Sequence, residues 1–221
     1  MVGLRDGEVI LFQGDSITHG GRSLDTDPNH VMGHGYQCVA AGRLCAENLD
    51  KRITTYNRGI SGNRIADLYG RWAEDTLALK PTFLSILIGV NDAFFSWRSG
   101  TGSDPARFGK IYRLLLDEAR AAGPETVFVL MEPFTGPCFA DAGAREFMSR
   151  RVAELAAVTR RVAADCGAVF VPLQKMLDRA AGVAGPERIL WDGIHPTVIG
   201  HELIARRWMA VVGRELAKIR G

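Results

Sequence analysis

Five short apolar segments alternate with segments in which apolar residues recur at helical spacing. Four of the short segments are rich in Val, Ile, Leu and Phe, and the other combines Ile, Thr and Tyr, compositions that are typical of strands. They occupy residues 9–12, 53–57, 83–88, 126–131 and 169–171. Each intervening segment is long enough to return the next strand parallel to the one before it. The alternation therefore predicts an α/β three-layer sandwich with a five-stranded parallel sheet.

The segments between the strands predict the helices. They cover residues 36–48, 65–79, 106–122, 144–165 and 173–181, with a last helix from Pro196 to about residue 212. Pro196 is typical of a first helical position. Residues 83–88 form the most apolar strand, so we expect it at the centre of the sheet with helices over both faces. No linker divides the sequence, which predicts one domain over residues 1–221.

The composition is that of an ordinary soluble globular protein. The chain has 221 residues, of which 47% are hydrophobic and 24% charged. This length suits one domain with a sizeable core. The formal net charge is only +2, which gives no indication of nucleic acid or a membrane surface as a partner. The composition is compatible with a homo-oligomer.

The cysteines and the N-terminal residues predict a cytoplasmic protein. Cys38, Cys45, Cys138 and Cys166 form no C-x-x-C pair and have no metal-ligand spacing, which favours reduced thiols. Residues 1–8 carry charges, and the apolar run at 9–12 is too short for a signal-peptide core or a membrane span. The histidines form no metal-ligand set with Cys or carboxylates. We therefore expect no metal and no other cofactor.

Small polar residues follow the first three strands, and two more precede the last helix. The carboxyl ends of parallel strands meet at one edge of a sheet, where ligands bind in folds of this class. The first three groups can therefore converge on one pocket, and the last can reach it if its loop folds over the same edge. The groups are Ser16, Gly62 with Asn63, Gly89 to Asp92, and Asp192 with His195.

These residue types suit nucleophilic catalysis. A serine hydroxyl is a weak nucleophile until an imidazole accepts its proton. The imidazole in turn needs a carboxylate to fix its tautomer and stabilise its cation. Asp192 and His195 are close enough in sequence for one short loop to present both. The backbone N–H groups of Ser16 and Gly62 and the side-chain amide of Asn91 could stabilise an oxyanion.

Each group also has a structural alternative, and Gly59 and Gly62 could simply be loop glycines. Asp15 and Ser16 could be a simple helix N-cap, and Asn91 or Asp92 could cap a helix after the third strand. Asp192 could begin a turn, and His195 with Pro196 could begin a helix. The order of all four groups at one predicted edge favours the catalytic interpretation.

The four blocks resemble those of the SGNH, or GDSL, hydrolase superfamily. They read Gly14-Asp15-Ser16, Gly62, Gly89-x-Asn91-Asp92 and Asp192-x-x-His195-Pro196. The first block continues with Ile where the family name has Leu, an apolar exchange. The resemblance implies a flavodoxin-like sheet and serine esterase chemistry. It implies Ser16 as nucleophile, Asp192 and His195 as its partners, and Ser16, Gly62 and Asn91 as the oxyanion hole.

Further stretches are similar to bacterial intracellular acetylxylan esterases of this superfamily, which deacetylate xylo-oligosaccharides. They include residues 57–63, 71–75 and 86–92 and the Trp191-Asp192 pair. The resemblance implies an acetylated oligosaccharide as the small-molecule substrate. Asp15 and Trp191 are the predicted substrate-binding residues, with Trp191 as a wall of the cleft. Residues 93–106 and 135–143 depart from the family pattern, so they could reshape the cleft.

Other functions fit parts of the sequence. The same chemistry could act on a small acyl ester, an acyl thioester or a lysophospholipid, although no long apolar flap is present to cover a lipid chain. A sugar-binding protein of the same fold would not need Ser, His and Asp together. A nucleotide-binding protein would need a phosphate-binding loop, and residues 14–20 lack the Walker lysine and the G-x-G-x-x-G spacing.

Some histidines and tryptophans have open roles. His19, His30 and His34 in the long first loop could line the cleft. His201 in the last helix could be exposed or buried. We expect Trp72 in the core, and the sequence assigns no role to Trp97.

Overall fold

The computed structural model describes residues 3–25 and 27–220. Met1 and Val2 of the N-terminal stretch, Thr26 of the first loop and the final Gly221 lie outside these residues. The described strands are Val9–Gly14 (β1), Thr54–Asn57 (β2), Phe83–Leu87 (β3), Val127–Met131 (β4) and Val169–Val171 (β5). They form one sheet in the order β2-β1-β3-β4-β5, with every neighbouring pair parallel. The predicted five-stranded parallel sheet is confirmed.

Helices occupy most of the remaining chain. They are Ser16–His19 (α1), Tyr36–Ala46 (α2), Ile65–Tyr69 (α3), Trp72–Asp75 (α4), Val90–Ser99 (α5), Pro105–Ala122 (α6), Ala142–Asp165 (α7), Gln174–Ala184 (α8) and Val198–Arg220 (α9). Single 3₁₀ turns lie at Leu77–Leu79 and Pro186–Arg188. In the part of the chain described, no helix has the length and apolarity needed to cross a bilayer.

Strand β3 is the centre of the sheet, as predicted. All five of its residues are buried, which requires apolar cover on both faces. Helices α2 and α9 pack against each other in one layer, whereas α6 packs with α3 and α7 in the other. The layers and the sheet between them form the predicted three-layer sandwich.

The strand order places a crevice at the end of β1. Strand β2 lies on one side of β1, and β3 lies on the other side. Such a reversal of the strand order leaves an opening between the flanking loops at the carboxyl edge of the sheet. The register pairs Gly14, the last residue of β1, with Leu87, the last residue of β3. The segments after these strands therefore begin side by side.

The single helix predicted over residues 65–79 is wrong. The chain forms α3, α4 and a 3₁₀ turn there, with breaks at Gly70–Arg71 and at Thr76. Glycine is a poor helix former, and Arg71 has non-helical backbone angles of φ −128° and ψ 14°. Thr76 is fully buried and its hydroxyl accepts a hydrogen bond from Gln13. Tertiary hydrogen bonds thus replace a continuous helix.

Two other predictions differ from the structure. No helix or strand is predicted for residues 93–105, yet most of α5 lies there, and Gly100 ends that helix with left-handed angles. The last helix begins at Val198, not at Pro196, because Pro196 forms an isolated antiparallel bridge with Leu190. It also continues to Arg220, beyond the predicted end.

The core contains Trp72, as predicted, and also His201. Trp72 is 1% exposed and His201 is 8% exposed. The Nδ1 atom of His201 accepts a hydrogen bond from the backbone N–H of Tyr36 at 3.1 Å, so the ring is neutral at that nitrogen. Burial, together with positive charge at His34 and His195, lowers the pKa of His201 to about 4.

We expect His201 to make folding stability depend on pH. Its folded pKa lies below the usual value of 6.5, so the unfolded chain takes up the proton first as the pH falls. The contribution of the neutral His201 ring to the free energy of unfolding is complete above that usual pKa. About 3 kcal/mol of it is lost as the pH falls through about 4. Urea unfolding of wild type and His201→Gln across this range measures the difference. Equal pH dependence in the two proteins would contradict this assignment.

Candidate active site

Close contact between two strand ends fixes the position of Ser16. A Cβ atom on Gly14 would lie 2.3 Å from the carbonyl oxygen of Leu87 and 2.5 Å from Oγ1 of Thr18. Only glycine fits between β3 and α1 at this point. The chain therefore turns directly from β1 into α1, and Ser16 is the first residue of that helix.

Asp15 is the N-cap of α1. Its Oδ1 atom accepts a hydrogen bond from the N–H of Ile17 at 3.0 Å, and the residue is only 1% exposed. Burial raises the pKa of Asp15 to about 7. A carboxyl group enclosed in this way does not reach a substrate in the cleft, which argues against the substrate-binding role predicted for Asp15. The capping alternative thus applies to Asp15 and leaves the Ser16 hydroxyl free for another partner.

That partner is His195. The Ser16 Oγ atom lies 2.8 Å from His195 Nε2, and His195 Nδ1 lies 2.6 Å from Asp192 Oδ2. The other carboxylate oxygen of Asp192 accepts the backbone N–H groups of Ile194 at 2.9 Å and His195 at 2.7 Å. One tight turn therefore presents both side chains, and the structure brings Ser16, His195 and Asp192 into a single hydrogen-bonded chain.

The environment of Asp192 keeps its carboxyl group ionised. Partial burial raises the pKa of Asp192, but hydrogen bonds from the backbone and ring of His195 and from Ile194 outweigh this effect. The resulting pKa is below the ordinary value. An ionised Asp192 accepts the Nδ1–H of His195, which leaves the Nε2 lone pair directed at the Ser16 hydroxyl. This arrangement can remove a proton from that hydroxyl.

The turn that carries Asp192 and His195 is held by the loop after β4. The carbonyl oxygen of Gly193 accepts hydrogen bonds from the N–H of Gly136 at 2.7 Å and from Oγ1 of Thr135 at 3.0 Å. Thr135 and Gly136 lie in residues 135–143, which are predicted from the sequence to depart from the family pattern. Sequence reasoning missed their role because neither residue type has a distinctive chemical signal.

Two candidate oxyanion donors lie on the loops after β2 and β3. The Asn91 amide, at the start of α5, donates one N–H to the carbonyl oxygen of Asn63 at 3.1 Å. Its second N–H has no acceptor among the residues described. Gly62 has φ +82° and an open side where a Cβ would meet nothing within 4 Å. Its conformation, not crowding by the chain, requires glycine. Within residues 3–25 and 27–220, the Gly62 N–H has no acceptor.

Asp92 connects these two loops, a role that the sequence did not indicate. It is fully buried, and its Oδ2 atom accepts the N–H of Ile65 at 2.9 Å, where α3 begins. Burial raises the pKa of Asp92 to about 6. The start of α3 is thereby tied to the start of α5.

Trp191 lies beside His195. Its side chain is 62% exposed, and its ring is stacked on His195 with a centroid separation of 6.3 Å and an angle of 25°. This placement suits the predicted wall of the cleft. Trp97 packs on Phe147 instead, with centroids 5.3 Å apart.

The histidines of the first loop have separate contacts. His30 forms an exposed pair with Asp27 at 2.8 Å, and His34 contacts the ring of His201. Nδ1 of His19 accepts the N–H of Gly21. Among the residues described, no three His, Cys, Asp or Glu side chains are grouped so that they could hold a metal ion.

Comparisons with known proteins identify the family. The model of the GDSL-like Lipase/Acylhydrolase family matches residues 12–203. An acetylxylan esterase from Geobacillus stearothermophilus is 32% identical over 225 residues, covering 97% of this chain and 98% of that protein.

Solved structures give the same result. A candidate GDSL-like lipase from Parabacteroides merdae has a TM-score of 0.88 and 35% identity, covering 96% of this chain and 98% of that one. A catalytic mutant of the Geobacillus stearothermophilus acetylxylan esterase has a TM-score of 0.85 and 29% identity, covering 95% and 96%. Since the family model spans most of the sequence and the relatives match nearly its whole length, the chain belongs to the GDSL-like lipase/acylhydrolase family and is a carboxylic-ester hydrolase.

Proposed function

We propose that this protein is a serine esterase that removes acetyl groups from a carbohydrate such as a xylo-oligosaccharide. The hydrogen-bonded chain from Ser16 Oγ through His195 to Asp192, with contacts of 2.8 and 2.6 Å, carries the proposal for the chemistry. Similarity to an acetylxylan esterase supports the substrate class. An exposed aromatic ring at Trp191, next to His195, suits stacking against a sugar ring.

The reaction proceeds through an acyl-enzyme. His195 takes the proton of Ser16 as Oγ attacks the acetyl carbonyl carbon, and Asp192 stabilises the imidazolium that forms. Collapse of the tetrahedral intermediate breaks the bond to the sugar oxygen, which receives the proton from His195. Water, deprotonated by His195, then attacks the acetyl-serine, and acetate leaves while Ser16 recovers its proton.

The oxyanion of each tetrahedral intermediate binds to the N–H groups of Ser16 and Gly62 and to the second N–H of Asn91. The Gly62 N–H is free of protein acceptors in the described chain, and the Asn91 amide is oriented by its bond to Asn63. Donors held in place before the reaction stabilise the developing charge without reorganisation.

Ser16→Ala removes the nucleophile, so we expect acetate release from acetylated xylo-oligosaccharides to fall by roughly 10⁴-fold or more. Wild type and variant are assayed beside p-nitrophenyl acetate and octanoate. Ser99→Ala is a matched control, since that hydroxyl bonds only within residues 95–101 at the end of α5. Ser16-dependent hydrolysis of the nitrophenyl esters without acetate release from the sugar would support the serine esterase chemistry and reject a carbohydrate substrate. Full activity in Ser16→Ala would reject both.

Asn91→Ala removes a donor that acts on the oxyanion. We expect kcat to fall about 10²- to 10³-fold while KM changes little, because the substrate carbonyl makes this contact weakly before charge develops. Steady-state kinetics on p-nitrophenyl acetate separate the two constants. A rise in KM at unchanged kcat would show instead that Asn91 binds the ground state.

Trp191→Ala tests the sugar contact. We expect kcat/KM for the acetylated oligosaccharide to fall about tenfold more than kcat/KM for ethyl acetate, since only the sugar has a ring to stack on the indole. Any effect through His195 is common to both substrates and cancels in this ratio. An equal loss for both would leave Trp191 with a role at His195 alone.

A further inference from the structure

Arg71 makes four side-chain hydrogen bonds near the site, and neither the chemistry above nor the comparisons assign it a role. Its Nε atom donates to Oδ1 of Asn63 at 2.8 Å. Its Nη1 atom donates to the carbonyl oxygen of Arg58 and to Oδ2 of Asp75, both at 2.8 Å. Its Nη2 atom donates to the carbonyl oxygen of Gly14 at 3.4 Å. The side chain is only 15% exposed.

Three of these four contacts are with the loop that carries Gly62 or with the strand end that precedes Ser16. Residues 58–63, which we name the Gly62 loop, follow β2. Arg71 contacts the first and the last residue of this loop, and Gly62 lies between them. The third contact, at Gly14, joins the same guanidinium to the strand end that precedes Ser16. One side chain therefore sets the Gly62 loop against the segment of the nucleophile.

Asn63 extends this connection to the other donor. Its side-chain oxygen accepts from Arg71, and its backbone oxygen accepts the amide of Asn91 at 3.1 Å. Movement of Asn63 would therefore misplace the Asn91 amide as well as the Gly62 N–H. The backbone bonds of the loop to β1 cover only its first half, from Arg58 to Phe12 and from Ile60 to Gly14.

The break between α3 and α4 is what allows these contacts. A continuous helix over residues 65–79 would hold Arg71 in regular helical geometry. With the break at Gly70–Arg71, its side chain turns back along the loop. Burial lowers the pKa of Arg71, and the Asp75 carboxylate partly offsets this effect. Arg71 stays charged, because arginine does not deprotonate in proteins.

We propose that Arg71 is a positioning residue, which holds the Gly62 N–H and the Asn91 amide at the place where the oxyanion forms. This inference rests on the proposed function. The guanidinium is required because its donors diverge in a rigid plane toward separate acceptors, which the single ammonium of lysine does not reproduce. Arg71 acts through the donors and does not contact the substrate.

Arg71→Lys keeps the charge and the ion pair with Asp75 but loses the diverging N–H donors of the planar guanidinium. We expect kcat to fall about tenfold, and about 10²-fold in Arg71→Ala, with KM within about threefold of wild type, since displaced oxyanion donors act mainly in the transition state. The matched control is Arg151→Lys. Arg151 is 22% exposed and pairs with Glu154 on α7, and we expect its replacement to leave kcat within about twofold of wild type.

A double-mutant cycle separates positioning from general stability. If Arg71 acts through the Asn91 amide and the Gly62 loop, then the fall in kcat in Arg71→Lys with Asn91→Ala is smaller than the product of the single losses. Asp75→Asn removes the ion pair but leaves three contacts of Arg71 in place, so we expect a smaller loss of kcat than in Arg71→Lys. Thermal unfolding of every variant reports whether it is folded.

Several results would overturn the proposal. They are a folded Arg71→Lys with wild-type kcat, a loss that appears only in KM, a loss in Asp75→Asn equal to that in Arg71→Lys, or losses that multiply in the cycle. Wild type and Ser16→Ala run in the same assay keep the two proposals apart. If wild-type turnover does not depend on Ser16, the proposed function fails. If it does and Arg71→Lys is unimpaired, only the role of Arg71 fails.

Discussion

The close approach of β1 and β3 at Gly14 is the constraint on which the site depends. A Cβ there would lie 2.3 Å from the carbonyl oxygen of Leu87, so only glycine allows the two strands to end together. Ser16 then follows one strand end and Asn91 follows the other, and their separation is set by sheet pairing instead of by flexible loops. Preorganisation of this kind is what the proposed nucleophile and oxyanion donor require, since both must lie within reach of one carbonyl group.

Three aspartates near this edge have different environments, and the environment decides what each can do. Asp15 and Asp92 are buried, with pKa values raised to about 7 and about 6, and both accept backbone N–H groups that begin helices. Asp192 is partly exposed, and its hydrogen bonds lower its pKa. An ionised carboxylate is the form that orients an imidazole and stabilises its cation. The geometry and the charge state therefore both favour Asp192 as the carboxylate partner of His195.

The loops that complete the site are held from outside it. Thr135 and Gly136 fix the turn that carries Asp192 and His195 through the carbonyl oxygen of Gly193. Arg71 joins both ends of the Gly62 loop to the end of β1. Side chains that support reacting groups by hydrogen bonds reduce the freedom lost when the substrate binds. These hydrogen bonds give the turn at residues 192–195 and the Gly62 loop a defined position beside Ser16.

The sequence by itself determined the parallel sheet, the central position of β3 and the family, because hydrophobic periodicity and turn chemistry depend only on residues close together in the chain. It also named Ser16, Gly62, Asn91, Asp192 and His195, whose roles stay proposals, as the cytoplasmic location and the homo-oligomer stay predictions. Only the tertiary structure decided that residues 65–79 break into short helices, that Asp15 is enclosed and that Arg71, Asp92 and Thr135 form hydrogen bonds with the loops at the carboxyl edge of the sheet. These features arise from hydrogen bonds and burial between residues far apart in the chain, and no local pattern encodes such contacts.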